Sequence, residues 1–145
     1  MDTTENPEIQ IFQLSGVRHI KPDKAIELIR KNQVIVIDVR EEVEFKKEYL
    51  NFNNVVSHPM SVIMDRLGQI PKDKTLLVLS SDGINSTKVA NLLNRQAYTS
   101  VANIDGGLQA WKIKGFDIVI DSEYTNHNPQ SCDRDTCGCS CEGCS

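Results

Sequence analysis

Cysteine is absent from residues 1 to 131; all five cysteines fall in the last fourteen positions, at Cys132, Cys137, Cys139, Cys141 and Cys144. Thiol chemistry must therefore come from that end of the chain. No dense cluster of Lys and Arg exists, and the net charge of −4 divides evenly, because the stretch from Cys132 onward sets Asp133, Asp135 and Glu142 against Arg134 and contributes −2. Neither part has a nucleic-acid footprint or a patch suited to an anionic membrane surface. No apolar run approaches membrane-spanning length, and the opening MDTTENPEIQ has neither a basic nor an apolar leader region. A cytoplasmic location is the expectation. Thiols stay reduced there, so an odd number of closely spaced cysteines suits a metal or redox tail better than a disulfide framework.

What is present describes one ordinary domain. The 145 residues are 39% hydrophobic and 25% charged, too few for two full cores and too apolar for disorder throughout. There are no internal repeats. Residues 1–16 read as an N-terminal extension without a clean period. Pro22 then fits a first helical turn, and Ala25, Leu28 and Ile29 mark an amphipathic helix stopping near Asn32. Val34 to Ile37 is a continuous β-branched run, the signature of a parallel strand covered on both faces. A charged helix is expected over Glu41 to Tyr49, a short strand at Val55 and Val56, a helical turn from Met64 to Leu67, and buried strands at Leu76 to Leu79 and Val101 to Ile104. The helix after Gly83 places Val89, Leu92, Leu93 and Ala97 on one face. Helices alternating with short apolar strands imply a three-layer α/β domain with a mainly parallel sheet over 17–120, a polar linker over 121–131 and a Cys-rich tail over 132–145.

In open α/β sheets, ligands bind at the carboxyl ends of strands, where a turn into a helix aims backbone N–H groups at an anion. Leu76 to Leu79 runs into Ser80, Ser81, Asp82, Gly83, Ile84, Asn85 and Ser86 and then into the clearest helix. Ser80 holds the place of a nucleophile, and Gly83 the place of a tight turn.

The chain resembles a single-domain rhodanese of the sulfurtransferase family. The matches are Ile37-Asp38-Val39-Arg40-Glu41 for D-x-R-E, Glu44-Phe45 for E-[FY], and Gly106-Gly107 with Trp111 and Gly115 for GG-x-x-x-W-x-x-x-G, spread over residues 17 to 120. The Gly-His-Ile that usually follows E-[FY] is missing, with Tyr49 and Leu50 nearest to it. The resemblance implies the three-layer rhodanese-like fold and a loop of pattern C-x-x-G-x-[RT]-S whose cysteine thiolate carries a persulfide. Here Gly83 and Ser86 match, but Ser80 stands at the cysteine position and Asn85 at the Arg/Thr position.

An alcohol is far less acidic than a thiol of pKa about 8.5, and a carboxylate at Asp82 repels thiosulfate, phosphate and persulfide alike. The nearest cation in sequence, Lys88, lies more than a helical turn away. The loop is therefore expected to lack persulfide chemistry, with Ser80 capping loop hydrogen bonds and no catalytic residue assigned. Serine-hydrolase chemistry is not favoured either, since G-x-S-x-G is missing and His19, His58 and His127 fall in unconnected places. Asp38 and Arg40 stand at a strand's end, where they could touch a ligand; the expectation is that an ion pair or turn hydrogen bonds between them fix the neighbouring loop. Trp111 is expected to pack a short helix onto the sheet.

Cys132, Cys137, Cys139, Cys141 and Cys144 are soft ligands at spacings suited to Zn²⁺ or Cu(I), with a solvated tail of incidental thiols as the plainer alternative. The domain itself requires no cofactor. The linker could span roughly 35 Å, enough for a tail thiol to visit the loop. Three functions follow: a non-catalytic rhodanese-like binding or regulatory module with a protein partner or a sulfur donor or acceptor; an active thiosulfate or persulfide sulfurtransferase using a tail cysteine; or a metal-binding protein with the domain as scaffold.

Overall fold

The computed structural model describes residues 3–120. Linker and tail, with all five cysteines, lie outside the described residues.

Among the described residues eight strands occur in chain order: β1 (Thr3–Thr4), β2 (His19–Ile20), β3 (Ile35–Asp38), β4 (Glu48–Tyr49), β5 (Val55–Ser57), β6 (Leu76–Leu79), β7 (Val101–Ile104) and β8 (Val119–Ile120). Between them lie α1 (Pro22–Arg30), α2 (Glu42–Lys47), a 3₁₀ segment (Met60–Gln69), α3 (Ile84–Arg95) and α4 (Gly107–Ile113). The main sheet has the order β1-β2-β7-β6-β3-β5. Every pairing from β2 to β5 is parallel, while β1 joins β2 antiparallel, Thr3 opposite Ile20. β4 and β8 form a separate antiparallel pair.

Side-chain alternation along the central strands divides the core in two. Val36, Leu77, Leu79, Ala102 and Ile104 face α1 and α4, packing with Ala25, Ile29, Leu108 and Trp111. Ile37, Leu76, Val78 and Val101 face α3 and the 3₁₀ segment, packing with Val89, Leu93 and Ile63. Both faces are covered, which is why these strands read as unbroken apolar runs. This is the three-layer rhodanese α/β fold with a mainly parallel central sheet.

Some local expectations are corrected. The helix expected over Glu41 to Tyr49 stops at Lys47, because Glu48 and Tyr49 turn extended to pair with Ile120 and Val119. The turn at Met64 to Leu67 belongs to a longer 3₁₀ segment starting at Met60. Ala97 lies beyond α3, exposed at φ +70°, and takes no part in the helix's apolar face.

Candidate functional site

Parallel β6 ends at Leu79, in the middle of the sheet, and the loop from Ser80 to Gly83 leads into α3. Gly83 adopts φ +92°, a left-handed turn that a side chain would strain. The loop curls back so that the Gly83 and Ser86 N–H groups both donate to Ser80 Oγ, at 3.0 and 3.2 Å. Ser80 is 2% exposed.

The loop is also held from α4. Leu108 N–H donates to the Ser80 carbonyl at 2.8 Å and Gln109 N–H to the Ser81 carbonyl at 2.9 Å. The first N–H groups of a helix have no partner within it, and here the loop supplies them. Such an approach leaves no room at Gly107, where a Cβ would lie 2.5 Å from the Ser80 carbonyl oxygen and 2.7 Å from the Gly83 nitrogen.

A buried polar network fixes every proton around Ser80. Gly106 N–H donates to Gln10 Oε1 at 2.9 Å, which identifies that atom as the oxygen. The Asn103 atom 2.9 Å from the same oxygen must then be the donor Nδ2, leaving Asn103 Oδ1 to accept from the Ser86 hydroxyl. Ser86 has given up its only proton, so the 3.0 Å contact between the two hydroxyls is a donation from Ser80 to Ser86. Ser80 thus donates once and accepts twice. Its hydroxyl is saturated.

Asn103 Nδ2 also donates to His19 Nδ1 at 2.9 Å, which puts the imidazole proton on Nε2, an atom with no partner among the described residues. Burial pushes the His19 pKa below its ordinary 6.5, against a weaker opposing effect of the Asp105 carboxylate, so the ring is neutral at pH 7. His58 is buried after β5; burial, reinforced by Arg66, lowers its pKa as well.

The N-terminal segment is strapped onto this network. The Asp105 carboxylate accepts the N–H groups of Glu8, Ile9 and Gln10 at 2.7 to 2.9 Å. Gln10 Nε2 donates to the Phe12 carbonyl and to Thr87 Oγ1, at 2.8 and 2.9 Å, and Thr87 itself caps the Gly83 carbonyl at 2.6 Å. Sequence reading missed this group. Asn103 carried a signal, as a polar residue within a buried strand; Gln10 carried none, since its partners other than the Phe12 carbonyl lie 73 to 96 residues away.

On the solvent side of Ser80 is a cavity of about 390 Å³, lined in part by Arg40, Glu41, Glu44, Ser61, Asp82 and Asn85. Arg40 is its only basic lining residue, and it is committed: Nε lies 3.0 Å from Asp38 Oδ1 and Nη2 2.7 Å from Asp38 Oδ2, while Nη2 also reaches the Glu48 carbonyl at 2.7 Å. Both partners of the pair are buried. Asp82 stands exposed at the rim, where its Oδ1 accepts Ile84 N–H at 3.0 Å. Glu41 accepts the Ser61 hydroxyl at 2.9 Å. Three carboxylates against one neutralised guanidinium make the cavity electronegative.

Of the loop residues named from sequence, Ser80, Gly83 and Ser86 are brought together in the buried turn, Ser81 is half-buried, and Asp82, Ile84 and Asn85 are exposed. Trp111 is fully buried, edge-on to Phe116 with ring centres 5.2 Å apart. The proposed ligands Cys132, Cys137, Cys139, Cys141 and Cys144 lie outside the described residues, among which there is no group of three or more His, Cys, Asp or Glu that could hold a metal.

The family profile "Rhodanese-like domain" matches residues 21–114. The chain belongs to the rhodanese-like family. Among curated members it is 29% identical over 89 residues to thiosulfate sulfurtransferase GlpE of Coxiella burnetii, covering 61% of this chain and 81% of that protein. It is 30% identical over 86 residues to a sulfurtransferase of Allochromatium vinosum, covering 59% and 78%. Among solved structures, a rhodanese-like domain protein from Staphylococcus aureus superposes with a TM-score of 0.61 at 26% identity, covering 71% of this chain and 97% of that one. No helix among the described residues of this rhodanese-like chain is long and apolar enough to cross a membrane.

Proposed function

We propose that this rhodanese-like chain is a binding or regulatory module without loop-persulfide sulfurtransferase activity, carrying a metal- or sulfur-handling cysteine tail. The observation that carries this reading is the saturated hydroxyl of Ser80. Persulfide formation requires a thiolate that attacks a sulfane sulfur and a loop whose amides receive the anion. Here the Gly83 and Ser86 amides are turned onto the serine oxygen, and the only proton of that oxygen goes to another hydroxyl rather than to a base. The carboxylates of Glu41, Glu44 and Asp82 oppose entry of a dianionic donor such as thiosulfate.

The test is a thiosulfate-to-cyanide assay on the full chain, a variant lacking residues 132–145, and Ser80→Cys. No turnover by the full chain is expected, with activity gained only by Ser80→Cys. Turnover that survives loss of the tail overturns the reading of Ser80. Turnover lost with the tail, together with added sulfur on tail cysteines by intact mass, instead establishes a sulfurtransferase using a tail thiol. Elemental analysis for zinc and copper, with and without residues 132–145, tests the metal role of the tail.

A further inference from the structure

Beside the acidic cavity, on the other flank of Asp82, runs an apolar groove of about 510 Å³ between the N-terminal strap and α4, with Ile9, Phe12, Ile84 and Ile113 in its walls. Ile113 is 86% exposed, and Ile11 at its edge 97%. Large aliphatic side chains left this open beside one another mark an interaction surface more often than an incidental patch. Asp82 lines both the groove and the acidic cavity, so the two are one continuous face.

The charge at the cavity end of that face is one-sided. Arg40 is locked to Asp38, Lys46 pairs with Glu42, and Lys112 pairs with Glu48. Lys88 lies over the Phe12 ring at 5.8 Å, on the groove side and away from the cavity lining. Glu44 and Asp82 are left exposed without a cationic partner among the described residues.

Building on the reading of this chain as a binding module, we propose that this face docks a segment of a partner protein that carries apolar side chains next to Lys or Arg. The apolar side chains enter the groove, and the basic ones cross Asp82 to reach Glu41 and Glu44. The chain's own residues 121–145 do not suit it: they hold Asp121, Glu123, Asp133, Asp135 and Glu142 against Arg134, with Tyr124 as their one large apolar side chain. A second copy does not suit it either, because a two-fold contact through this face brings the two sets of Asp82 and Glu44 together. Nor does a bare metal ion, since the described residues hold no suitable cluster.

The experiment is selection of a random dodecamer phage library on the full chain, followed by fluorescence anisotropy with the enriched peptides. The expected peptides combine Leu, Ile, Phe or Met with Lys or Arg. Their Kd should rise at least tenfold with Ile11→Asp plus Ile113→Asp, and also with Glu44→Gln plus Asp82→Asn. All four sites are exposed, and asparagine keeps the acceptor that caps Ile84, so the fold is retained; circular dichroism checks this. No enrichment, enrichment of acidic peptides, or binding indifferent to both double variants overturns the proposal. Thiosulfate turnover by the same preparation would instead overturn the non-catalytic reading, so the two failures are read on different instruments.

Discussion

Asn103 holds Ser86 and His19 apart and in register, accepting the serine hydroxyl through Oδ1 and donating to the imidazole Nδ1 at 2.9 Å through Nδ2. It is fully buried on β7, in register with His19 on β2 and Val78 on β6. The orientation of the loop therefore depends on a strand that does not contribute a single loop residue. The same amide also engages Gln10, which ties the N-terminal strap to the site.

Asn103→Ala takes a partner from three groups at once: the Ser86 hydroxyl, His19 Nδ1, and Gln10 Oε1, which keeps only the Gly106 N–H. Leaving buried polar groups unpaired costs about 1–3 kcal/mol each, and partial relaxation makes a total loss of about 2–4 kcal/mol the expected value. Urea denaturation measures it. Gln10→Ala shares one of these contacts, so the two losses should combine to less than their sum in a double-mutant cycle. A loss below about 0.5 kcal/mol for Asn103→Ala, the range of ordinary surface substitutions, would show that the network does not hold the loop.

Gly107→Ala tests the contact between α4 and the loop. The residue sits at φ +65°, and the added carbon would lie 2.5 Å from the Ser80 carbonyl oxygen. Left-handed backbone costs a residue with a side chain about 1–2 kcal/mol, and overpacking adds about 1–3 kcal/mol, so a loss of at least about 2 kcal/mol is expected. Gly68→Ala is the control, since nothing lies within 4 Å of its added carbon and its φ is not in the left-handed region. Equal melting temperatures for the two variants would contradict the packing described.

The legible parts of this fold are those whose sequence pattern has one physical cause. Leu76–Leu79 and Val101–Ile104 occupy central positions with both faces covered, and such burial leaves an unbroken apolar run. A Gly-Gly pair such as Gly106-Gly107 marks a close turn because no other residue takes positive φ so readily. By contrast, β4 depends on a partner about seventy residues away at Val119–Ile120, and a two-residue strand has no local period to reveal it. The strap at Glu8 to Phe12 is irregular for the same reason: apart from the Gln10 to Phe12 bond, its order comes from the Asp105 carboxylate and from Asn103 and Gly106, on and just after β7. His19 looked unconnected in sequence because its link to the loop runs through Asn103, 84 residues away.

The neutral, buried histidines make stability depend on pH. Burial lowers the pKa of both His19 and His58 below 6.5, so between their folded values and 6.5 the unfolded chain binds protons that the folded chain does not. Stability then rises with pH in that window, is fully present above about 6.5, and declines as pH falls through it. The urea midpoint should accordingly be lower at pH 5.5 than at pH 7.5. Imidazole proton resonances provide the residue-level check, with two of the three histidines titrating below the ordinary value and the His19 signal remaining that of the Nε2–H tautomer. An imidazolium signal for His19 at pH 7 would mean that Asn103 does not donate to Nδ1, and the donation from Ser80 to Ser86 would then lose its support.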